Sequence, residues 1–256
     1  ETPGEQDGST AADPAPPEQV LSTDPTPLEH EGGWEEFSLL LSTSVWASSE
    51  LTETHGGRQV VYAAENLFDG DPSTCWAEGA GGNGTGESVA FITNKPVERI
   101  GLVNGFARDR DIFMKNNRVK SIRVSVIPAF TAPGLVTEND YHLYLGLSYH
   151  AREDIELQDT MEMQYVRFPF SEEEQRTIIR ETTERFFQDH PPFASAIEGE
   201  LGLGAYGDLS ETGREEYRDL VQAAFSMYCV RLEIADVYPG SAYEDTCLSE
   251  VEVAFH

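Results

Sequence analysis

From Trp34 onward, the sequence is a series of short segments rich in β-branched and aromatic residues, separated by Gly, Asn, Asp and Pro. Examples are ESVAFITN, RIGLVNGFA, RVKSIRVSVIP and YCVRLEIADVY. In the third of these, Val119, Ile122, Val124 and Val126 follow a period of two with one slip. Such segments are too short for most helices and are typical of antiparallel strands. They predict an all-β antiparallel sandwich.

Two stretches between residues 171 and 225 have helical periodicity instead. The first begins with Ser171 and Glu174 at capping-box spacing, and the second with Asp208 and Glu211 at the same spacing. The recurring apolar positions are Ile178, Ile179, Thr182, Phe186 and Phe187 in the first, and Tyr217, Leu220, Val221, Ala224 and Phe225 in the second. We interpret residues 171–225 as a two-helix insertion that packs on the sandwich, with irregular chain between the helices.

Residues 1–33 contain six prolines, eight acidic residues and no Lys or Arg. This composition cannot bury enough apolar surface to offset the entropy of ordering, so we expect a disordered tether followed by one sandwich domain over residues 34–256. Acidic, proline-rich tethers suit secreted or lipid-anchored proteins. The first residue is Glu1 rather than Met, and a removed N-terminal segment that carries a lipid anchor fits this expectation.

The charge and the cysteines exclude several classes of protein. The net charge is −29 with only 17 Lys and Arg, so nucleic acid is not an expected partner. No apolar run approaches the roughly 20 residues that cross a membrane. The three cysteines, Cys75, Cys229 and Cys247, match no zinc-site spacing. They allow either one disulfide with one free thiol or three thiols.

The stretch NLFDGDPSTCW, residues 66–76, places oxygen-bearing side chains in a tight turn. Asp69, Asp71 and Thr74 offer oxygens of the kind that calcium prefers, and Gly70 permits an unusual backbone angle. The spacing is not that of an EF-hand. The alternative is an ordinary turn that the Asp side chains close by hydrogen bonds to the backbone.

Five blocks of sequence together carry a family resemblance: FDGDPSTCWAEG, GNGTGES, IGLVNGFA, KNNRVKSI and VYPGSAYEDTCLSEVEV. They resemble the galactose-binding-like, discoidin (coagulation factor 5/8 C-type) jelly-roll superfamily. Within it, they are similar to the glycan-binding-type domain found in fungal NADases and bacterial lipoproteins. The resemblance implies a galactose-binding-like antiparallel jelly-roll sandwich, and the predicted helical insertion lies outside it.

The resemblance also implies a structural calcium ion that joins the early loop to the last strand. The implied ligands are the side chains of Asp69, Asp71, Thr74 and Glu250 and the main-chain carbonyls of Asn66 and Ser249. Cys75 and Cys247 lie in the two segments that would meet at the ion, which makes a disulfide between them plausible. Cys229 is then a lone thiol.

The stretch VNGFARDRDIFMKNNRVK concentrates amides and bases in a chain that is poor in bases. Amide and guanidinium groups suit sugar hydroxyls, and the neighbouring Phe106 and Phe113 suit sugar faces. The candidate ligand-binding residues are Asn104, Arg108, Lys115, Asn116, Asn117 and Arg118. The alternative is that these bases only pair with the surrounding acids.

The sequence contains no nucleophile elbow, zinc-binding helix motif or phosphate loop. We therefore expect a non-catalytic carbohydrate-binding module of a secreted or cell-envelope protein, whose partner is a glycan or another cell-surface ligand. Two alternatives stay open. One is an enzyme that uses carboxylates of the insertion, such as Glu181, Glu184, Asp208 or Glu211. The other is a protein-adhesion module.

Overall fold

The structure is a computed structural model that describes residues 32–38, 44–93, 95–138, 142–202 and 204–256. Residues 1–31, which hold almost all of the predicted tether, lie outside the described residues, so disorder of that segment stays a prediction.

The described chain is built mainly of strands. In chain order they are β1 (Glu35–Ser38), β2 (Val45–Ala47), β3 (Thr52–His55), β4 (Arg58–Val61), β5 (Trp76–Ala77), β6 (Ser88–Thr93), β7 (Val97–Asn104), β8 (Asn117–Phe130), β9 (Leu143–Gly146), β10 (Tyr149–His150), β11 (Ile155–Glu156), β12 (Gln164–Arg167), β13 (Ser226–Tyr238) and β14 (Thr246–Phe255). The helices are α1 (Arg110–Lys115), α2 (Glu172–Asp189), α3 (Pro191–Leu201) and α4 (Glu211–Phe225), with short 3₁₀ helices at Ala64–Phe68 and Tyr206–Asp208.

The strands form two layers that pack face to face. One layer has the order β2-β6-β13-β8, and the other has the order β12-β7-β14. The layers join where the first residues of β14 run parallel to the first residues of β8, with Thr246 opposite Asn117. Every other strand pair in the described chain is antiparallel. This confirms the predicted all-β antiparallel sandwich.

The alternating residues of β8 face the core between the layers. Val119, Ile122, Val124 and Val126 are buried together with apolar residues of β7, β13 and β14. The slip in their alternation has a structural cause, because the register with β13 shifts on either side of Asp236. A bulge of this kind adds a residue to one strand and restores the inward direction of the side chains that follow.

The insertion contains three α-helices rather than the two that we predicted. The capping box of α2 at Ser171 and Glu174 is confirmed. The stretch expected to be irregular contains α3, which has Pro at its first positions and ends at Gly202 in the left-handed conformation. Pro is tolerated there because the first turn of a helix needs no backbone donor. For α4, the N-cap is Ser210 and not Asp208.

The insertion packs on the sandwich, as expected, and forms a second core. Phe186, Tyr217 and Val221 are buried against Phe130 of β8. Leu220 was assigned to the buried stripe of α4, but it is 44% exposed. The buried face of α4 is instead completed by the stem of Arg218, because a long polar side chain can cover apolar surface with its methylenes.

Candidate functional site

The early loop forms a hydrogen-bonded turn. Asp69 accepts hydrogen bonds from the backbone N–H of Asp71 at 2.8 Å and from the hydroxyl of Thr74 at 2.8 Å. Asp71 in turn accepts from the backbone N–H of Ser73 at 2.9 Å. Gly70 has a φ of +74°, which other residues rarely adopt. These are the hydrogen bonds of an ordinary turn that is closed by Asp side chains, and both aspartates accept them.

The last strand brings a third carboxylate to this turn. The register between β14 and β7 skips Ser249, so Glu250 follows a bulge. Glu250 is 6% exposed, and its Oε1 atom is buried without a hydrogen-bond partner among the described residues. Burial, followed by the hydrogen bond to Asp69 and the charge of Asp69, raises the pKa of Glu250 to about 7. The structure therefore brings the early loop next to the last strand.

The donor types at this junction fit a hard cation. A buried carboxylate oxygen without a partner, next to two more carboxylates, is a place where a cation would lower the free energy of the folded state. The hydroxyl of Ser249 is already engaged, because it accepts from Ala107 N at 2.9 Å and donates to Gly105 O at 3.0 Å. Only the carbonyl of Ser249 is then available as a ligand.

The geometry is not preformed for metal binding. Within the part of the chain that the structure describes, no three His, Cys, Asp or Glu side chains are arranged to hold a metal ion. Asn66 also uses its side chain elsewhere, since its amide donates to Cys75 O at 2.7 Å. A cation would therefore need main-chain carbonyls and a small rearrangement of the Asp69 and Thr74 side chains.

The three cysteines are free and buried. Cys75 and Cys247 lie in one small cluster with Ala77 and Phe106. The thiol of Cys75 and burial together raise the pKa of Cys247 well above its usual value. Cys75 and Cys247 are therefore not joined by a disulfide, although the two segments do meet.

Four of the six predicted ligand-binding residues are buried, and three of these, Asn104, Asn117 and Arg118, are held by hydrogen bonds to residues distant in the sequence. The Asn104 amide donates to Val119 O at 2.6 Å, and the Asn117 amide donates to Glu244 O at 2.5 Å. Arg118 contacts both carboxylate oxygens of Asp159, at 2.9 and 2.8 Å. These side chains are therefore used to fix loops against the sandwich.

The remaining predicted ligand-binding residues lie around one end of the sandwich. Arg108 is half exposed, and its guanidinium lies 5.0 Å from the ring centre of Phe106. Lys115 pairs with Asp111, and Asn116 donates to Ile112 O at 2.9 Å. Arg108 and Asn116 both line a cleft, which is described next.

The cleft has a volume of about 620 Å³ and lies beside the early loop. We call it the end cleft. Its aromatic members include Tyr62 and Phe106, whose ring centres are 6.0 Å apart, and Tyr243, which is 48% exposed. Its polar members are Glu53, His55, Asn66, Ser73, Thr74, Arg108, Asn116 and Asp245. Aromatic rings beside convergent polar groups can hold a ligand that has both apolar faces and hydroxyls.

Electrostatic interactions organise one wall of the end cleft. Glu53 contacts His55 at 2.9 Å and accepts a hydrogen bond from the hydroxyl of Tyr62 at 3.2 Å. Burial and the charge of Glu53 raise the pKa of Tyr62 to about 12, so this hydroxyl stays protonated and can donate. Burial also raises the pKa of Asp245 on the other side of the cleft.

Sequence reasoning missed Glu53, His55, Tyr62, Tyr243 and Asp245. They come from the β3–β4 hairpin, from the residue after it, and from the loop before β14. The pair of glycines between Thr52–His55 and Arg58–Val61 is a hairpin signal, but a turn signal does not reveal which distant loop the hairpin meets.

Two of the carboxylates proposed for an enzymatic insertion serve as ion-pair partners. Glu184 and Glu211 contact Arg218 at 3.0 and 3.3 Å. Arg218 is largely buried, so these carboxylates offset a charge that would otherwise be costly to bury.

Comparison with known protein families gives one match. The model of the NAD glycohydrolase translocation F5/8 type C domain matches residues 38–175, which is more than half of the chain. No match was found among curated proteins. The described helices include none that has the length and apolar character to cross a membrane.

Proposed function

Because the chain belongs to the NAD glycohydrolase translocation F5/8 type C domain family, we propose that it is a non-catalytic module that binds a cell-surface glycan through the end cleft. The description of the family names translocation, a role in which a domain acts by binding rather than by chemistry. The resemblance of the sequence to glycan-binding-type domains supports the same ligand class. A secreted or cell-envelope location follows from this proposal.

The end cleft is the observation that carries the proposal. In it, the rings of Tyr62 and Tyr243 offer faces for a sugar ring, while Arg108 and Asn116 offer donors for its hydroxyls. A cleft of about 620 Å³ is large enough for one or two sugar units, because drug-sized ligands occupy sites of roughly 300–1,000 Å³.

Binding to an array of immobilised glycans tests this proposal. We expect the unaltered chain to bind a subset of glycans, and Tyr243→Ala and Arg108→Gln each to weaken that binding about tenfold or more. Tyr165→Ala is the matched control, because Tyr165 is similarly exposed, at 45%, and does not line the cleft. Binding that survives both cleft substitutions, or that the control also removes, contradicts the proposal.

We also propose that a structural calcium ion binds at the junction of the early loop and the last strand. Asp69, Asp71, Thr74 and Glu250 would contribute side-chain oxygens, and Asn66 and Ser249 would contribute carbonyls. The unpartnered oxygen of Glu250 supports this assignment. The ion would neutralise carboxylates that otherwise repel one another.

Thermal unfolding tests the calcium proposal. A ligand that binds only the folded state stabilises it by about 2.7 kcal/mol when its free concentration is 100-fold above its dissociation constant. Calcium should therefore raise the melting temperature and EDTA should lower it. Asp71→Ala and Glu250→Ala should each remove most of this difference. Identical melting of the unaltered chain with and without calcium would show that the loop is only a turn.

A further inference from the structure

A second cleft, of about 750 Å³, lies at the opposite end of the sandwich from the end cleft. We call it the insertion cleft. Its walls are α2, α4 and the strand ends around Thr93, Pro96 and Ser226, so it exists only because the insertion packs against the sheet. Its apolar lining comes from Phe130, Ile179 and Met227.

Two cations that line this cleft have no partner among the described residues. Lys95, between β6 and β7, and Arg180 of α2 are exposed, and neither makes a hydrogen bond or ion pair with any described residue. The other bases of the cleft are engaged, since Arg176 pairs with Glu172 at 2.8 Å and Arg218 is held by acids of α2 and α4. Lys95 and Arg180 are thus the Lys and Arg side chains of this cleft that have no acidic partner among the described residues.

Two carboxylates of α4 line the same cleft and are also unpartnered. Glu215 and Asp219 are one helical turn apart and exposed, and they make no hydrogen bond or ion pair within the described chain. Opposite charges therefore line one cleft at separations greater than the 4.0 Å of an ion pair. The unpaired cations lie on α2 and in the connection between β6 and β7, and the unpaired anions lie on α4.

We propose that the insertion cleft binds a zwitterionic ligand of dipeptide size. The carboxylate of the ligand pairs with Lys95 and Arg180, because a guanidinium can bind a carboxylate in a bidentate manner. The ammonium of the ligand pairs with Glu215 and Asp219. An apolar side chain packs on Ile179 and Met227. The ligand thus satisfies four charged groups that the protein leaves unpaired.

The insertion cleft shares no lining residue with the end cleft. Dipeptide binding and glycan binding can therefore be tested independently. A module that loses glycan binding through the end cleft would still bind a dipeptide at the insertion cleft, and the reverse also holds.

Isothermal titration of the full chain with leucyl-leucine tests the proposal. Two derivatives are titrated in parallel, N-acetyl-leucyl-leucine, which lacks the ammonium, and leucyl-leucinamide, which lacks the carboxylate. We expect the dipeptide to bind and each derivative to bind about tenfold more weakly or worse, because each loses charge-assisted hydrogen bonds. Absence of dipeptide binding, or equal binding of all three compounds, overturns the proposal.

Substitutions locate the two halves of the site. Arg180→Gln should weaken dipeptide binding about tenfold and remove the preference for leucyl-leucine over its amide. Asp219→Asn should likewise remove the preference over the acetylated compound. Lys95→Gln and Glu215→Gln repeat each test at a second position if the first variant fails to fold. Arg58→Gln, an exposed base on the β3–β4 hairpin, is the control and should bind as the unaltered chain does. Unchanged preferences in the folded variants place the ligand elsewhere and overturn the proposal.

Discussion

Glu250 is the single residue whose protonation most directly ties stability to the candidate cation site. Its pKa in the folded chain is raised from 4.5 to about 7, by burial and by Asp69. The folded state therefore binds a proton more tightly than the unfolded state does. The contribution of this group to stability is fully present below about pH 4.5 and is lost as the pH rises through about 7.

The direction of this pKa shift gives a prediction for the cation-free protein. In EDTA, the free energy of unfolding should fall between pH 5 and pH 7.5 by more in the unaltered chain than in Glu250→Gln, because glutamine has no proton to lose in this range. Glu252→Gln, at a more exposed position of the same strand, is the control and should keep the full dependence. Urea unfolding at both pH values measures the difference. Equal dependence in Glu250→Gln and the unaltered chain would contradict the assignment.

Calcium should oppose this loss of stability at higher pH. Because the proposed ion would bind the deprotonated carboxylate, the stabilisation by calcium should grow as the pH rises through about 7, the pKa of Glu250. The shift in melting temperature on adding calcium, measured at several pH values, checks this. A shift that is constant across the range would separate calcium binding from Glu250.

Gly105 shows how tightly the backbone beneath the end cleft is constrained. Its φ is +64°, and a Cβ atom there would lie 2.5 Å from Arg118 Cγ and 2.6 Å from the Phe113 ring. Gly105→Ala should therefore destabilise the fold by about 2–4 kcal/mol, from both backbone strain and overpacking. Gly134→Ala has a similar φ of +84° but open space around it, so it should cost only about 1 kcal/mol. Denaturant unfolding of both variants measures the difference, and equal losses would mean that the close contacts relax without cost.

At the scale of elements, the joint between α2 and the sheet depends on one buried amide. Gln175 is fully buried, accepts from Val97 N at 2.8 Å and donates to Val97 O at 2.8 Å and Phe170 O at 2.9 Å. It thus completes the backbone hydrogen bonds of the first residue of β7. The insertion is therefore attached by polar contacts as well as by the apolar core.

Gln175→Leu keeps the approximate size of the side chain but removes these hydrogen bonds. Because buried backbone groups of Val97 would then lack partners, we expect a loss of about 3 kcal/mol in the free energy of unfolding. Gln188→Leu, at an exposed position of α2, is the matched control and should change stability by less than about 0.5 kcal/mol. Denaturant unfolding compares the two. A loss that the control shares would implicate the helix rather than the joint.

Local sequence patterns predicted the elements correctly where the residues that determine an element are neighbours in the sequence. The period-two alternation of β8 and the capping box of α2 depend on neighbours in sequence, and both are confirmed. The prediction failed for α3 because Pro191 and Gly199 favour irregular chain in isolation, whereas burial of Ala194 and packing of Ile197 in the second core compensate for them.

The site was harder to predict than the elements. Asp69 and Asp71 in the early loop belong to one recognisable motif, and Glu250 in the last strand belongs to a second. The structure brings these two motifs together. The end cleft has no such motif, because Tyr62 and Tyr243 meet only through the fold. The bases near Arg118 were visible in the sequence, but sequence cannot show that a side chain is used to hold a loop.

At the scale of the whole molecule, the insertion and the end cleft occupy opposite ends. Replacing residues 171–225 by a short Gly-Ser linker should expose Phe130 and Leu145 of the second core and lower the free energy of unfolding by at least about 2 kcal/mol. Glycan binding at the end cleft should remain in any molecule that folds. The same linker placed in the turn at Gly56–Gly57 is a control for stability alone, because this turn belongs to the hairpin that forms one wall of the end cleft. Unchanged stability after the replacement would mean that the insertion does not support the sandwich.

The order of the strands has a consequence for synthesis. β13 lies between β8 and β6, and β14 lies between β7 and β8, yet both follow the insertion in the chain. A ribosome makes the neighbours of β13 and β14 first and leaves the positions of these two strands empty until residues 226–255 emerge. The nascent chain must therefore hold apolar faces of β6, β7 and β8 without their neighbours while the three helices are made, and this interval is when chaperones have the most exposed surface to bind.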